Sequence, residues 1–138
     1  MGKFWKRSFA FLFASFLILC GCSQNHTQPD YEVVTSVEIL TVRNNQPLRR
    51  YYTTSKKMQA ILMYLRTLPH QPLSQPIAEP ASEDTFLIIV GLSSGNRRYY
   101  RQARHRYISL QHSRWHSIQP IHAAKLYGLL RSFPSDRL

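Results

Sequence analysis

Two copies of Arg-Arg-Tyr-Tyr carry the most evident chemistry in this chain: Arg49-Arg50-Tyr51-Tyr52 and Arg97-Arg98-Tyr99-Tyr100. Arg101, Arg104 and Arg106 extend the second copy. Guanidinium groups hold phosphates and carboxylates through paired N–H donors, and tyrosine rings add area for stacking on sugars or bases. The set Arg97, Arg98, Tyr99, Tyr100, Arg101, Arg104 and Arg106 is therefore expected to meet an anionic partner. Taken singly, each residue also fits a plainer role, because tyrosine favours strands and arginine protects exposed sheet positions.

Histidines offer a second kind of chemistry. His112 and His116 stand four apart, with His105 and His122 close in sequence. Two histidines at that spacing serve a metal when they share a helix face. Trp115 and Ser113 point instead to a corner after a strand, and no carboxylate lies between Asp84 and Asp136 to complete a site. These are read as surface histidines, with no metal and no cofactor. Catalysis finds still less support, since paired carboxylates would have to come from Glu32, Glu38 or the proline-rich stretch. There is no nucleophile elbow, phosphate loop or HExxH motif. No catalytic residue is assigned, and the expected role is non-enzymatic binding. Two alternatives remain: a structural accessory subunit of an envelope protein complex, and a hydrolase whose cleft collects the few carboxylates.

The start of the chain bears on where this chemistry takes place. Lys3, Lys6 and Arg7 precede a run from Phe9 to Cys20 that is apolar except for Ser15. The run is 12 residues long, the length of a secretory hydrophobic region and too short to span a bilayer as a helix. Leu19-Cys20-Gly21-Cys22 then resembles the lipobox of bacterial lipoproteins, with Leu19 three before the modified cysteine and Gly21 just before it. The resemblance implies a diacylglyceryl thioether on Cys22, cleavage before it, and a further acyl chain such as palmitate on the new amino terminus. Two or more chains give stable anchoring where one does not. The expected divisions are a cleaved signal peptide (1–21), a lipidated cysteine and tether (22–30), and one domain (31–138). The expected location is the bacterial cell membrane, lipid-anchored and facing the extracytoplasmic side.

Cleavage leaves 117 residues, enough for one small domain with its own core. Cys20 leaves with the signal and Cys22 carries lipid, so disulfides and thiol chemistry are excluded from the domain. The full chain holds 18 Lys+Arg against 7 Asp+Glu; loss of Lys3, Lys6 and Arg7 leaves a net of +8. Such a domain near a membrane is expected to attract lipid head groups, teichoic acids, other anionic polymers or an acidic protein; an equal alternative is that the charge only aids solubility. Nucleic acid needs an extracellular setting and is not the expected partner.

The elements that must position these groups follow from periodicity. Tyr31 to Arg43 alternates with period two, as a half-buried strand does. Asn44-Asn45-Gln46-Pro47 marks a turn, and Leu48 to Thr53 returns as a second strand. Thr54 or Ser55 is expected to cap a helix from Lys56 to Leu68, with Met58, Ile61, Leu62, Leu65 and Leu68 on its inner stripe. A proline-rich connection (69–84) follows. Thr85 to Leu92 is apolar on both parities and reads as the central strand. A two-residue Ser94-Gly95 turn would pair Val90 with Tyr99 and Ile89 with Tyr100. Strands at Arg97–Ala103 and Arg106–Gln111 follow, with Trp115 plugging one end of the core. Ser117 is expected to cap a last helix with Pro120 in its first turn and Ala123, Leu126, Leu130 and Phe133 inside. The order is ββα, loop, βββα: an α+β fold with an antiparallel sheet of about five strands and both helices on one face. At fold level this loosely resembles small extracytoplasmic lipoprotein domains.

Overall fold

The computed structural model describes residues 32–136. The expected signal peptide, the Leu19–Cys22 motif, the expected tether, Tyr31 and the last two residues lie outside the described residues. Within them the fold is α+β. The elements are β1 (Val34–Arg43), β2 (Gln46–Tyr52), α1 (Ser55–Thr67), β3 (Gln71–Pro72), β4 (Thr85–Leu92), β5 (Arg97–Ala103), β6 (Tyr107–Leu110), β7 (Trp115–Ser117) and α2 (Pro120–Ser132). The strands form one antiparallel sheet in the order β2-β1-β4-β5-β6-β7-β3. The sheet has seven strands among the described residues, not five. The two extra are β3, inside the proline-rich connection, and β7, where an irregular corner was expected. At two and three residues they are too short to show a period. Pro72 is tolerated because β3 lies at the sheet edge.

β-Branched residues make β1 a strand, and alternation sends Val37 and Ile39 into the core. The parity does not run unbroken from Tyr31: Val33 is 64% exposed while Val34 packs against the core. A bulge between Val34 and Ser36 accounts for the inversion, because one extra residue turns a strand over. Gly91 lies opposite Ser36, and a Cβ there would stand 2.5 Å from Ser36 Oγ, so any side chain at 91 would displace that hydroxyl from its place in the bulge.

Turn geometry sets the remaining faces. Asn44 and Asn45 both adopt left-handed φ, 52° and 60°, and close a two-residue turn that pairs Arg43 with Gln46. β2 therefore begins at Gln46 rather than Leu48. The β4–β5 turn closes over three residues, 93–95, inside a Leu92–Asn96 pair, and not over two. The Leu92 N–H donates to the Asn96 carbonyl at 3.0 Å, and Gly95 takes φ 87°. This corrects the register by one: Ile89 faces Tyr99 and Ile88 faces Tyr100. A one-residue slip exchanges faces, so Tyr100 packs against the core and Tyr99 points to the opposite side.

Both helices pack on one sheet face, over Val37, Ile39, Tyr52, Ile88, Val90 and Ile108. α1 contributes Met58, Ile61 and Tyr64, with Leu68 just beyond it; α2 contributes Ala123, Leu126 and Leu130. Leu62, Leu65 and Phe133 are only half-buried. Gln102, 1% exposed, sits among these apolar groups. Its Oε1 accepts the Tyr64 hydroxyl proton and its Nε2 donates to the Ala123 carbonyl at 3.3 Å, so it links both helices to the sheet. The first helix is capped at the expected position but without the expected side-chain bond, and the second is capped elsewhere. Thr54 stands at the N-cap of α1 without a capping side-chain bond, and Gln119, not Ser117, precedes Pro120 in α2. Ser117 belongs to β7, where its hydroxyl donates to the Gln71 carbonyl at 3.4 Å. Trp115 is half-buried on the face away from the helices, with the Arg101 guanidinium 5.2 Å from its ring centroid, rather than plugging the core. No helix among the described residues is long and apolar enough to cross a membrane.

Candidate anion-binding cleft

Antiparallel pairing gathers four chain segments at one end of the sheet: the end of β1, the start of β2, the start of β4 and the β5–β6 turn. The register shows this directly, pairing Arg43 with Gln46, Thr41 with Phe86 and Thr85 with Ala103. The last turns of α2 meet them there. Between them lies a cleft of about 720 Å³, lined by arginines from four elements or turns: Arg43, Arg50, Arg104 and Arg131.

Each arginine arrives by a different local rule. Arg43 is the last residue of β1, before the Asn44-Asn45 turn. Arg50 lies opposite Ile39 and so takes the helix side of β2. Arg104 and His105 form a tight turn with φ 51° and 52°, closed by the Arg106 N–H donating to the Ala103 carbonyl at 3.0 Å. Left-handed backbone is uncommon in non-glycine residues, and here it sets both side chains at the rim. Arg131 occupies the last turn of α2, where a cation suits the negative helix end.

The carboxylates here are Glu83 and Asp84. Asp84 pairs with Arg104 Nε at 3.2 Å, with both side chains about half exposed, so water and salt compete easily for that bridge. Arg43, Arg50 and Arg131 make no ion pair among the described residues. One wall is aromatic. Tyr127 stacks on His105 at 4.4 Å between centroids and meets Phe86 edge-on at 4.8 Å. The Tyr127 phenol, protonated at neutral pH as tyrosines ordinarily are, is pushed further up by burial. Forked donors beside a planar apolar wall suit a phosphate or carboxylate attached to a ring or chain.

The arginine–tyrosine set read from the sequence does not converge on one surface. Arg97, Tyr99 and Arg101 point away from the helices, whereas Arg98 and Tyr100 point toward them, as strand alternation requires. Acids reach them from outside their own stretch. Arg98 pairs with Glu32 at 3.4 Å, Arg101 with Glu79, and Arg104 with Asp84. Arg106 is exposed after the turn, and of the seven only Arg104 lines the cleft. In the first copy Arg49 is bound to Glu38 at 2.9 Å and to the Tyr51 hydroxyl at 3.0 Å, while Arg50 reaches the cleft. His112 and His116 do not share a site: His112 lies 5.4 Å from the Tyr99 ring and His116 faces His70. Arg43, Tyr127 and Arg131 carried no local signal, being single residues brought together only where the end of β1 meets the last turns of α2, and His105 was read only among the surface histidines.

No protein-family model, curated protein or solved structure shows significant similarity to this chain.

Proposed function

We propose that this is a lipid-anchored bacterial protein whose folded domain binds, without transforming, an anionic component of the cell envelope. In this reading a lipid on Cys22 holds the domain on the extracytoplasmic side of the membrane. The cleft takes the partner's phosphate or carboxylate group. The observation that carries the reading is the imbalance inside the cleft: four arginines against two carboxylates, with three of the arginines lacking an ion pair among the described residues. Charge-assisted hydrogen bonds to such a group are the strong kind. Use of Glu32, Glu38, Glu79, Asp84 and Asp136 in ion pairs supports binding over acid–base chemistry.

The test uses the soluble domain from Ser23 onward, which contains the whole described core. Its sedimentation with vesicles of anionic phospholipid, with neutral vesicles and with teichoic acid is followed over a salt series. Binding confined to the anionic arms, weakened by salt and lost in Arg50→Gln with Arg131→Gln, supports the reading. Unchanged binding in that double variant refutes the cleft. For the anchor, labelling of cells with an acyl-chain analogue should mark the wild-type protein and not Cys22→Ser.

A further inference from the structure

His70 and His116 face each other across the β3–β7 edge. His70 immediately precedes β3, and His116 is the middle residue of β7, paired with Pro72. Their Nδ1 atoms are 3.0 Å apart, with ring centroids 4.7 Å apart and planes at 78°. The Gln71–Ser117 pairing on one side and the Ser117 hydroxyl bond to Gln71 hold the two backbones together. His70 is exposed and His116 half-buried, so the pair is open to solutes.

Two imidazole nitrogens this close can share one proton or bind one cation. Each ring must turn to aim its lone pair off the N–N line at a shared ion; with the nitrogens kept 3.0 Å apart at metal–nitrogen distances of about 2.0–2.1 Å, they subtend roughly 91–97° at the metal. That is the cis angle of a tetragonal site. A tetrahedral ion asks for roughly 109°, and hence about 3.4 Å between donors. Imidazole is a ligand for Cu(II), Ni(II) and Zn(II), and tetragonal nitrogen–oxygen sites are those of Cu(II) and Ni(II).

We propose that His70 and His116 form a two-imidazole site for a tetragonal divalent ion, Cu(II) or Ni(II). Each ring gives its Nδ1 lone pair. The ring that had donated its Nδ1 proton moves that proton to Nε2, so no net proton is lost. No group of three His, Cys, Asp or Glu side chains converges among the described residues, so water or an external ligand completes the coordination. The ion would clamp β3, and the proline-rich chain that follows it, to the sheet edge.

The full-length protein, carrying Cys20→Ser and Cys22→Ser so that no thiol binds or reduces copper, is titrated with CuCl2, NiCl2 and ZnCl2, with Cu(II) also followed by EPR. The expected result is one Cu(II) bound through two imidazole nitrogens, and Ni(II) bound more tightly than Zn(II). His70→Ala should weaken Cu(II) binding by about tenfold or more and remove the two-nitrogen signature. His116→Ala should do the same, while His112→Ala and His122→Ala leave both unchanged. His70 lies outside any strand, so its variant keeps the test sound if His116→Ala disturbs β7. Failure to bind Cu(II) at about 0.1 mM, or an unaltered spectrum in His70→Ala, would overturn the site.

Discussion

Asp136 accepts the Thr53 backbone N–H at 2.8 Å, so the last described residue closes the start of α1. The same oxygen accepts the Thr54 N–H and hydroxyl, each at 3.0 Å, and Lys57 pairs with the other oxygen. α1 has no side-chain cap of its own and no acid in its first turn. Asp136 supplies both the acceptor and the negative charge that a helix N-terminus calls for. Ser135 adds to the strap: its hydroxyl accepts from the Tyr51 N–H at 2.9 Å, and the Asp136 N–H donates to the Tyr51 carbonyl at 2.8 Å.

The ion pair with Lys57, then the two backbone N–H groups, hold the Asp136 carboxyl well below the usual carboxylate range. A depressed folded-state pKa stabilises fully above the unfolded value, about 4, and less as pH falls from there toward the folded value. Thermal melts of wild type and Asp136→Asn from neutral to acid pH check this. Asp136→Asn should melt lower at pH 7, and the gap should shrink as the pH drops below about 4. A gap constant with pH contradicts the assignment.

Tyr64 and Gln102 should be strongly coupled. Tyr64→Phe leaves the buried Gln102 carbonyl without its donor, a cost of about 1–3 kcal/mol. Gln102→Leu in that background removes the unsatisfied group, so the double variant should be less destabilised than the sum of the singles. Urea denaturation of the four proteins measures the coupling; additivity within about 0.5 kcal/mol would contradict it.

Two glycines should respond oppositely to alanine. Gly95 holds φ 87° in the β4–β5 turn, where a side chain is strained, so Gly95→Ala should cost about 1 kcal/mol. Gly128 lies inside α2 with open space where a Cβ would go, so Gly128→Ala should gain about 0.5–1 kcal/mol. Chemical denaturation decides both, and equal signs would contradict the geometry.

Local patterns made much of the fold legible. The alternation of β1, the inner stripe of α1 and the doubly apolar β4 all express burial over several consecutive residues. β3 and β7 are too short to carry a period, and the β4–β5 register turned on whether Ser93 joined the loop. Tyr64 went unread as core because its hydroxyl needed a buried partner, Gln102, found only in three dimensions. The site was least legible. Neighbours in sequence such as Arg97 and Arg98 face opposite ways, and Glu32, Glu79 and Asp84 come from elsewhere to engage the arginines. Arg43, Arg50, Arg104 and Arg131 meet only because hairpin ends and the end of α2 coincide.

The most direct test of the cleft is an NMR titration of the arginine Nε–H groups with inorganic phosphate. Saturable shifts at Arg43, Arg50 and Arg131, with Arg97 and Arg106 still and the response abolished in Arg50→Gln, are the predicted result. Shifts spread evenly over Arg97 and Arg106, or no saturable shift by about 10 mM phosphate, would contradict an anion site there.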